Sequence, residues 1–193
     1  MSALPQLPTF LTENWPVWLV TIVLIVAAVV DGLQLKVPNG ITYPLVIAGW
    51  IYSSTMHPEC SVWWEGLGWS LLGTFIGLAL LLPAYAIGGM GAGDVKLLAG
   101  VGAWVWGTTT LYAFCVSAIV GGAIALVMVL WRRDWYHHSD QFWTIVTEIF
   151  EIRDPNALAA IAAKRKSAML LLPYGIPIAI GSIAYFAWAG MLI

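Results

Sequence analysis

Charge is the scarcest commodity in this chain. Of its 193 residues only 9% are Asp, Glu, Lys or Arg, against 61% that are hydrophobic. Water-soluble domains carry about 25% charged residues, and a chain this short has too little interior to hide so much apolar surface from water. A soluble fold is therefore excluded and a polytopic membrane protein implied. Cysteine is nearly missing too. Cys60 and Cys115 form no CxxC pair, which excludes a disulfide framework and a zinc knuckle. No basic stripe offers itself to nucleic acid, and the formal net charge is only −2. Residues 1–14 lack the basic start of a secretory signal, so the first apolar run is expected to be retained. His57, His137 and His138 stand at no metal-ligand spacing from a thiol or carboxylate, and neither a metal nor a cofactor is expected.

What is present is a series of six apolar runs, at about 15–30, 41–52, 67–87, 95–106, 111–131 and 168–193. They predict an all-α protein with six transmembrane helices, forming one membrane domain over residues 1–193. A helix needs around 20 apolar residues to cross the hydrocarbon core. The second and fourth runs fall short of that, so each is either extended into its polar flanks or begins below the lipid surface. Pro83 predicts a kink near the end of the third run, and Gly107-Thr108-Thr109-Thr110 reads as a tight link. The long polar segment 132–167 reads as two short interfacial helices.

Basic residues set the orientation. Lys36 lies between runs one and two and Lys96 between runs three and four. Arg132, Arg133, Arg153, Lys164, Arg165 and Lys166 all lie between runs five and six. With six crossings these three connections share the cytoplasmic side, and both termini lie outside. Trp15, Trp18, Trp63, Trp64, Trp69, Trp104, Trp106 and Trp188 then make an outer aromatic belt.

Two carboxylates stand out against this background. Asp94 follows the glycine-rich stretch Gly88-Gly89-Met90-Gly91-Ala92-Gly93 and opens the fourth run; Asp31 closes the first. The orientation above puts both at one depth on the cytoplasmic side. An ionisable residue at membrane depth is costly and points to function. Two carboxylates held close share a proton and titrate as a unit. One can take a proton from a water while the other polarises a peptide carbonyl, which is aspartyl proteolysis. A second reading gives Asp94 a helix cap and Asp31 a helix stop. A third makes the chain a small proton- or cation-coupled transporter.

Gly91-Ala92-Gly93-Asp94, followed by Val95-Lys96-Leu97, resembles the GxGDxKL stretch of the type IV prepilin peptidases. Asp31 followed by Val37-Pro38-Asn39 is similar to that family's other motif, and Pro173-Tyr174-Gly175-Ile176-Pro177 to the segment that opens its last helix. The resemblance implies a bacterial inner-membrane, multi-pass aspartic endopeptidase that removes the leader of prepilins or pseudopilins at the cytoplasmic face. By the same resemblance Asp31 and Asp94 are the catalytic pair. Gly91 and Gly93 shape the loop presenting Asp94, and Pro38, Asn39 and Lys96 lie around it. Asn39 is expected to cap the second helix or else to orient the substrate, and Lys96 either to tune the pair or to snorkel. Without the paired CxxC motifs that many members carry, a small peptidase-only form is expected, acting on Flp-type (tight-adherence) prepilins. The partners implied are the prepilin and the lipid bilayer.

Overall fold

A computed structural model of the chain describes residues 14–56, 62–86, 89–132 and 173–192. Regular structure among them is entirely helical: α1 (Trp15–Gln34), α2 (Asn39–Thr55), α3 (Trp63–Ala86), α4 (Ala92–Arg132) and α5 (Gly175–Trp188). Three helices are long and apolar enough to cross a membrane, namely α1, α3 and the Ala92–Met128 portion of α4. Residues 133–167 of the expected interfacial segment, the start of the sixth run and all three histidines lie outside the described residues.

The apolar runs become helices with boundaries set by local chemistry. Pro16 sits in the first turn of α1, where a missing N–H costs nothing. The same helix does not stop at Asp31, as the sequence suggested. It continues to Gln34 and ends where Leu35 takes a left-handed conformation (φ 52°, ψ 32°), its N–H donating to the Asp31 carbonyl. Asp31 therefore lies inside the last turn and is buried.

A second difference concerns residues 107–110, which are helical rather than a link. The chain turns instead at a single residue, Trp106 (φ 62°, ψ −178°), which divides α4. Glycine alone visits that backbone region easily. Trp106 is kept there by stacking on Trp69, 6.2 Å between ring centroids, and by the Thr110 hydroxyl donating to the Trp106 carbonyl.

Small residues let the helices approach. Gly73 of α3 and Gly102 of α4 face each other so closely that a Cβ on either would enter the other's carbonyl, the close packing typical of helices in lipid. Beside this crossing, the Ser53 and Ser70 hydroxyls both donate to the Ala103 carbonyl, at 3.1 and 2.6 Å. The α5 helix packs between α1 and α4, and α2 packs on α3 and α4. Leu24, Leu97, Leu98, Val101 and Phe186 fill the centre. The outward faces are just as apolar: Ile22 and Val29 of α1 are 59% and 57% exposed, a surface suited to lipid rather than water.

Residues assigned to the aromatic belt differ in burial. Trp63, Trp64 and Trp188 are exposed. Trp104, however, is a core residue. It is buried, stacks on Tyr52, and its indole N–H donates to the Leu45 carbonyl at 2.8 Å. The apolar ring found a packed interior, and the backbone carbonyl of Leu45 satisfied its polar tip.

Candidate active site

Asp94 occupies the first turn of α4 and is buried. Its Oδ2 accepts a hydrogen bond from the Gly91 N–H at 3.2 Å, while the Asp94 N–H donates to the Gly91 carbonyl. The carboxylate thus reaches back to the residue before the helix, the carboxylate half of a capping box, and gains from the helix N-terminus. Capping and burial coexist here; the cap fixes the direction in which the carboxylate is presented.

Asp31 comes from the other end of the sequence. Its Oδ2 accepts the Gly175 N–H at 2.7 Å, in a buried hydrogen bond. Gly175 is the first residue of α5, and its amide is one of those that no helical carbonyl satisfies. The approach demands glycine: a Cβ there would lie 2.8 Å from the Asp31 carboxylate oxygen. The preceding residue, Tyr174, is half-buried and its phenol lies within the electrostatic reach of Asp94. The short turn at the head of α5 therefore bonds one carboxylate through its backbone and lies within the electrostatic reach of the other.

The remaining motif residues build the frame. Gly93 packs on the Val37 backbone so closely that a Cβ would enter the Val37 carbonyl, which locks the glycine motif against the Val37-Pro38-Asn39 segment. Pro38 is extended (φ −71°, ψ 147°) and directs the chain into α2. Asn39 does not cap that helix: Pro38 holds the cap position and no side chain caps it. The Asn39 Oδ1 instead accepts from Lys96 Nζ at 3.0 Å. The same ammonium donates to the Tyr43 hydroxyl at 3.0 Å and lies 4.6 Å from the Tyr43 ring centroid. Lys96 is a strap between α4 and α2, neither snorkelling free nor paired with a carboxylate among the described residues.

Tyr43, Tyr174 and Gly175 were not singled out as site residues from sequence. The motif that opens α5 was visible, but nothing in it announces that the Gly175 amide bonds Asp31. Among the described residues no three His, Cys, Asp or Glu side chains gather into a metal-binding group. Each of the two buried carboxylates accepts a backbone N–H, Asp31 from Gly175 and Asp94 from Gly91.

Comparison with known proteins places this arrangement. The type IV leader peptidase family matches residues 18–126. Leader peptidase HopD of Escherichia coli is 30% identical over 108 residues, which is 52% of this chain and 66% of that protein. A prepilin leader peptidase/N-methyltransferase of Aeromonas salmonicida is 27% identical over 141 residues, 68% of this chain and 45% of that protein. One of Aeromonas hydrophila is 27% identical over 130 residues, 64% of this chain and 42% of that protein. The matches thus span less than two thirds of each of these relatives, and no solved structure matches. The family match covers more than half of the sequence and includes both aspartates and both motifs, and on that basis the chain belongs to the type IV leader peptidase family.

Proposed function

We propose that the chain is an intramembrane aspartic endopeptidase that removes the leader peptide of type IV prepilins or pseudopilins. Asp31 and Asp94 are its catalytic pair. The observation that carries this reading is a pair of buried carboxylates from α1 and α4, Asp31 held by the Gly175 amide at the head of α5 and Asp94 within the electrostatic reach of the adjoining Tyr174. A water between them loses a proton to one carboxylate as its oxygen attacks the peptide carbonyl, which the protonated partner polarises. The proton then passes to the leaving amine. Preorganised amide donors at Gly91 and Gly175 fix where each carboxylate points, so little rearrangement is needed at the moment of reaction.

The reading includes six crossings with both termini outside and the carboxylates at the cytoplasmic face of a bacterial inner membrane. The placement of Lys36 and Lys96 at the same ends of their helices as Asp31 and Asp94 supports it. Family membership supports a prepilin as the substrate. Flp-type prepilins are the first class to test. Nothing in the fold or the comparisons favours transport.

The test is coexpression with a prepilin, with leader removal read as a mobility shift and the new N-terminus by mass. Processing that depends on the chain supports the reading. A full panel of Flp-type and other type IV prepilins left intact in its presence contradicts it.

A further inference from the structure

At the end of the molecule away from the carboxylates, a cavity of about 430 Å³ opens between the head of α3 and the turn in α4. That turn, at Trp106, sends α4 back on itself. The helix starts beside the glycine motif, and by Gly121 it has returned to Pro177, near the head of α5. From Asp94 to Trp106 it rises about 18 Å, so the cavity is separate from the active site. The basic residues among those described, Lys36, Lys96 and Arg132, all belong to the opposite end.

The wall changes character along its length. On α3 it is formed by Glu65, Trp69, Leu72 and Ile76, whose spacing of four, three and four stacks them in one row. The row is about 16 Å long, close to half of the roughly 30 Å hydrocarbon core. Glu65 lies in the first turn of a helix long enough to cross the membrane, and Ile76 lies halfway along it. A single leaflet is therefore lined by a carboxylate, then an indole, then two aliphatic side chains. The facing wall is the turn itself, which contributes Thr108 and Thr109. Trp69 stacks on Trp106 across the base of the turn. Backbone held in so unfavourable a region as that of Trp106 is often found at ligand clamps.

We infer that this cavity binds one phospholipid, from the leaflet remote from the carboxylates, through a headgroup that ends in a primary ammonium. The graded row selects an amphipathic occupant lying along α3, polar end at Glu65 and acyl chain against Leu72 and Ile76. Charge selects the headgroup. Glu65 is the only charged residue in the wall, so a cation is attracted and an anionic headgroup repelled. The three N–H groups of an ammonium match the oxygens of a carboxylate and of threonine hydroxyls, and an indole face attracts the same charge. A quaternary ammonium gains only the second of these, having no N–H to donate. The volume holds a headgroup with the upper part of one chain. Leu72, 44% exposed, leaves the remainder of the lipid in contact with the bilayer. The site does not depend on the proteolytic reading.

The experiment reconstitutes the full chain in nanodiscs made of equal parts of phosphatidylethanolamine, phosphatidylcholine and phosphatidylglycerol with identical acyl chains. Native mass spectrometry then counts the lipids the chain retains on release. The unaltered chain should keep one phosphatidylethanolamine, favoured about fivefold over the choline lipid, the ratio that a partly exposed ion pair supplies. Phosphatidylglycerol should be retained least. Glu65→Gln changes an exposed side chain and should keep its thermal midpoint in detergent, while its ethanolamine-over-choline ratio falls below about twofold. Soluble glycerophosphoethanolamine, which has the headgroup without acyl chains, should not displace the retained lipid. Retention of all three lipids in bulk proportion, or preference for another headgroup, overturns the proposal. So does an ethanolamine preference that survives in Glu65→Gln, or displacement by the soluble headgroup.

Discussion

The Gly175 amide reaches the Asp31 carboxylate across 144 positions of sequence, at 2.7 Å. This bond makes the head of α5 part of the site although it carries no acidic residue itself. It predicts that Gly175→Ala, whose Cβ would sit 2.8 Å from Asp31 Oδ2, displaces the carboxylate rather than the helix. A misplacement near 1 Å costs on the order of 10²-fold in rate. Steady-state kinetics should show that loss in kcat with KM changed less than threefold, and a pH–rate profile whose limbs shift from those of the unaltered chain. Equal losses in kcat/KM carried by KM alone would assign Gly175 to substrate binding instead.

The strap formed by Lys96 gives a second prediction. Its two hydrogen bonds tie α4 to α2 beside the active turn. Lys96→Met leaves Asn39 and Tyr43 without the shared cation and should lower stability by about 1 kcal/mol. A double-mutant cycle of Lys96→Met with Tyr43→Phe should give a coupling of roughly 0.5–1.5 kcal/mol, read from thermal unfolding in detergent. Additive effects would show that the three groups are neighbours without being coupled.

Gly93 offers a sharper stability test. Its contact with the Val37 carbonyl is backbone on backbone, so no side chain can swing aside for a Cβ. Gly93→Ala should destabilise by about 1–3 kcal/mol and reduce proteolytic activity with it. Gly40→Ala is the control, because a Cβ there meets nothing within 4 Å. Similar thermal midpoints for the two variants would contradict the packing described.

Leu35 predicts a gain. It ends α1 in the left-handed region and its side chain is exposed. A non-glycine residue pays roughly 1–2 kcal/mol there, so Leu35→Gly should raise stability by about 1 kcal/mol. A lower thermal midpoint would mean that the Leu35 side chain holds something that its exposure conceals.

Much of this molecule was legible in its sequence, for specific reasons. Membrane residence follows from composition alone. The two aspartates stand out because carboxylates are rare among apolar runs, and the glycines before Asp94 stand out because close approach needs them. The Val37-Pro38-Asn39 match located the right segment but misjudged Asn39. Intrinsic capping preference favours Asn at helix starts, yet a lysine from α4 offered its amide oxygen a charged donor, and that contact comes from tertiary structure alone. The burial of Trp104 was hidden for a similar reason: its residue type fits an interface, while the packing around Leu45 and Tyr52 covers it. The turn at Trp106 was hidden because its conformation belongs to glycine, and the glycine in the sequence stands one position later, at Gly107. The role of Gly175 was invisible because a backbone amide leaves no signature in the residue letters.

The central claim is that Asp31 and Asp94 act as one unit. The most direct test is the initial rate of leader removal by Asp31→Asn, Asp94→Asn and the double variant, each shown to be inserted and folded. Groups that act together lose their effect together, so each single variant should fall to the uncatalysed background and the double variant no lower. Cleavage by either single variant within tenfold of the unaltered rate would contradict the account.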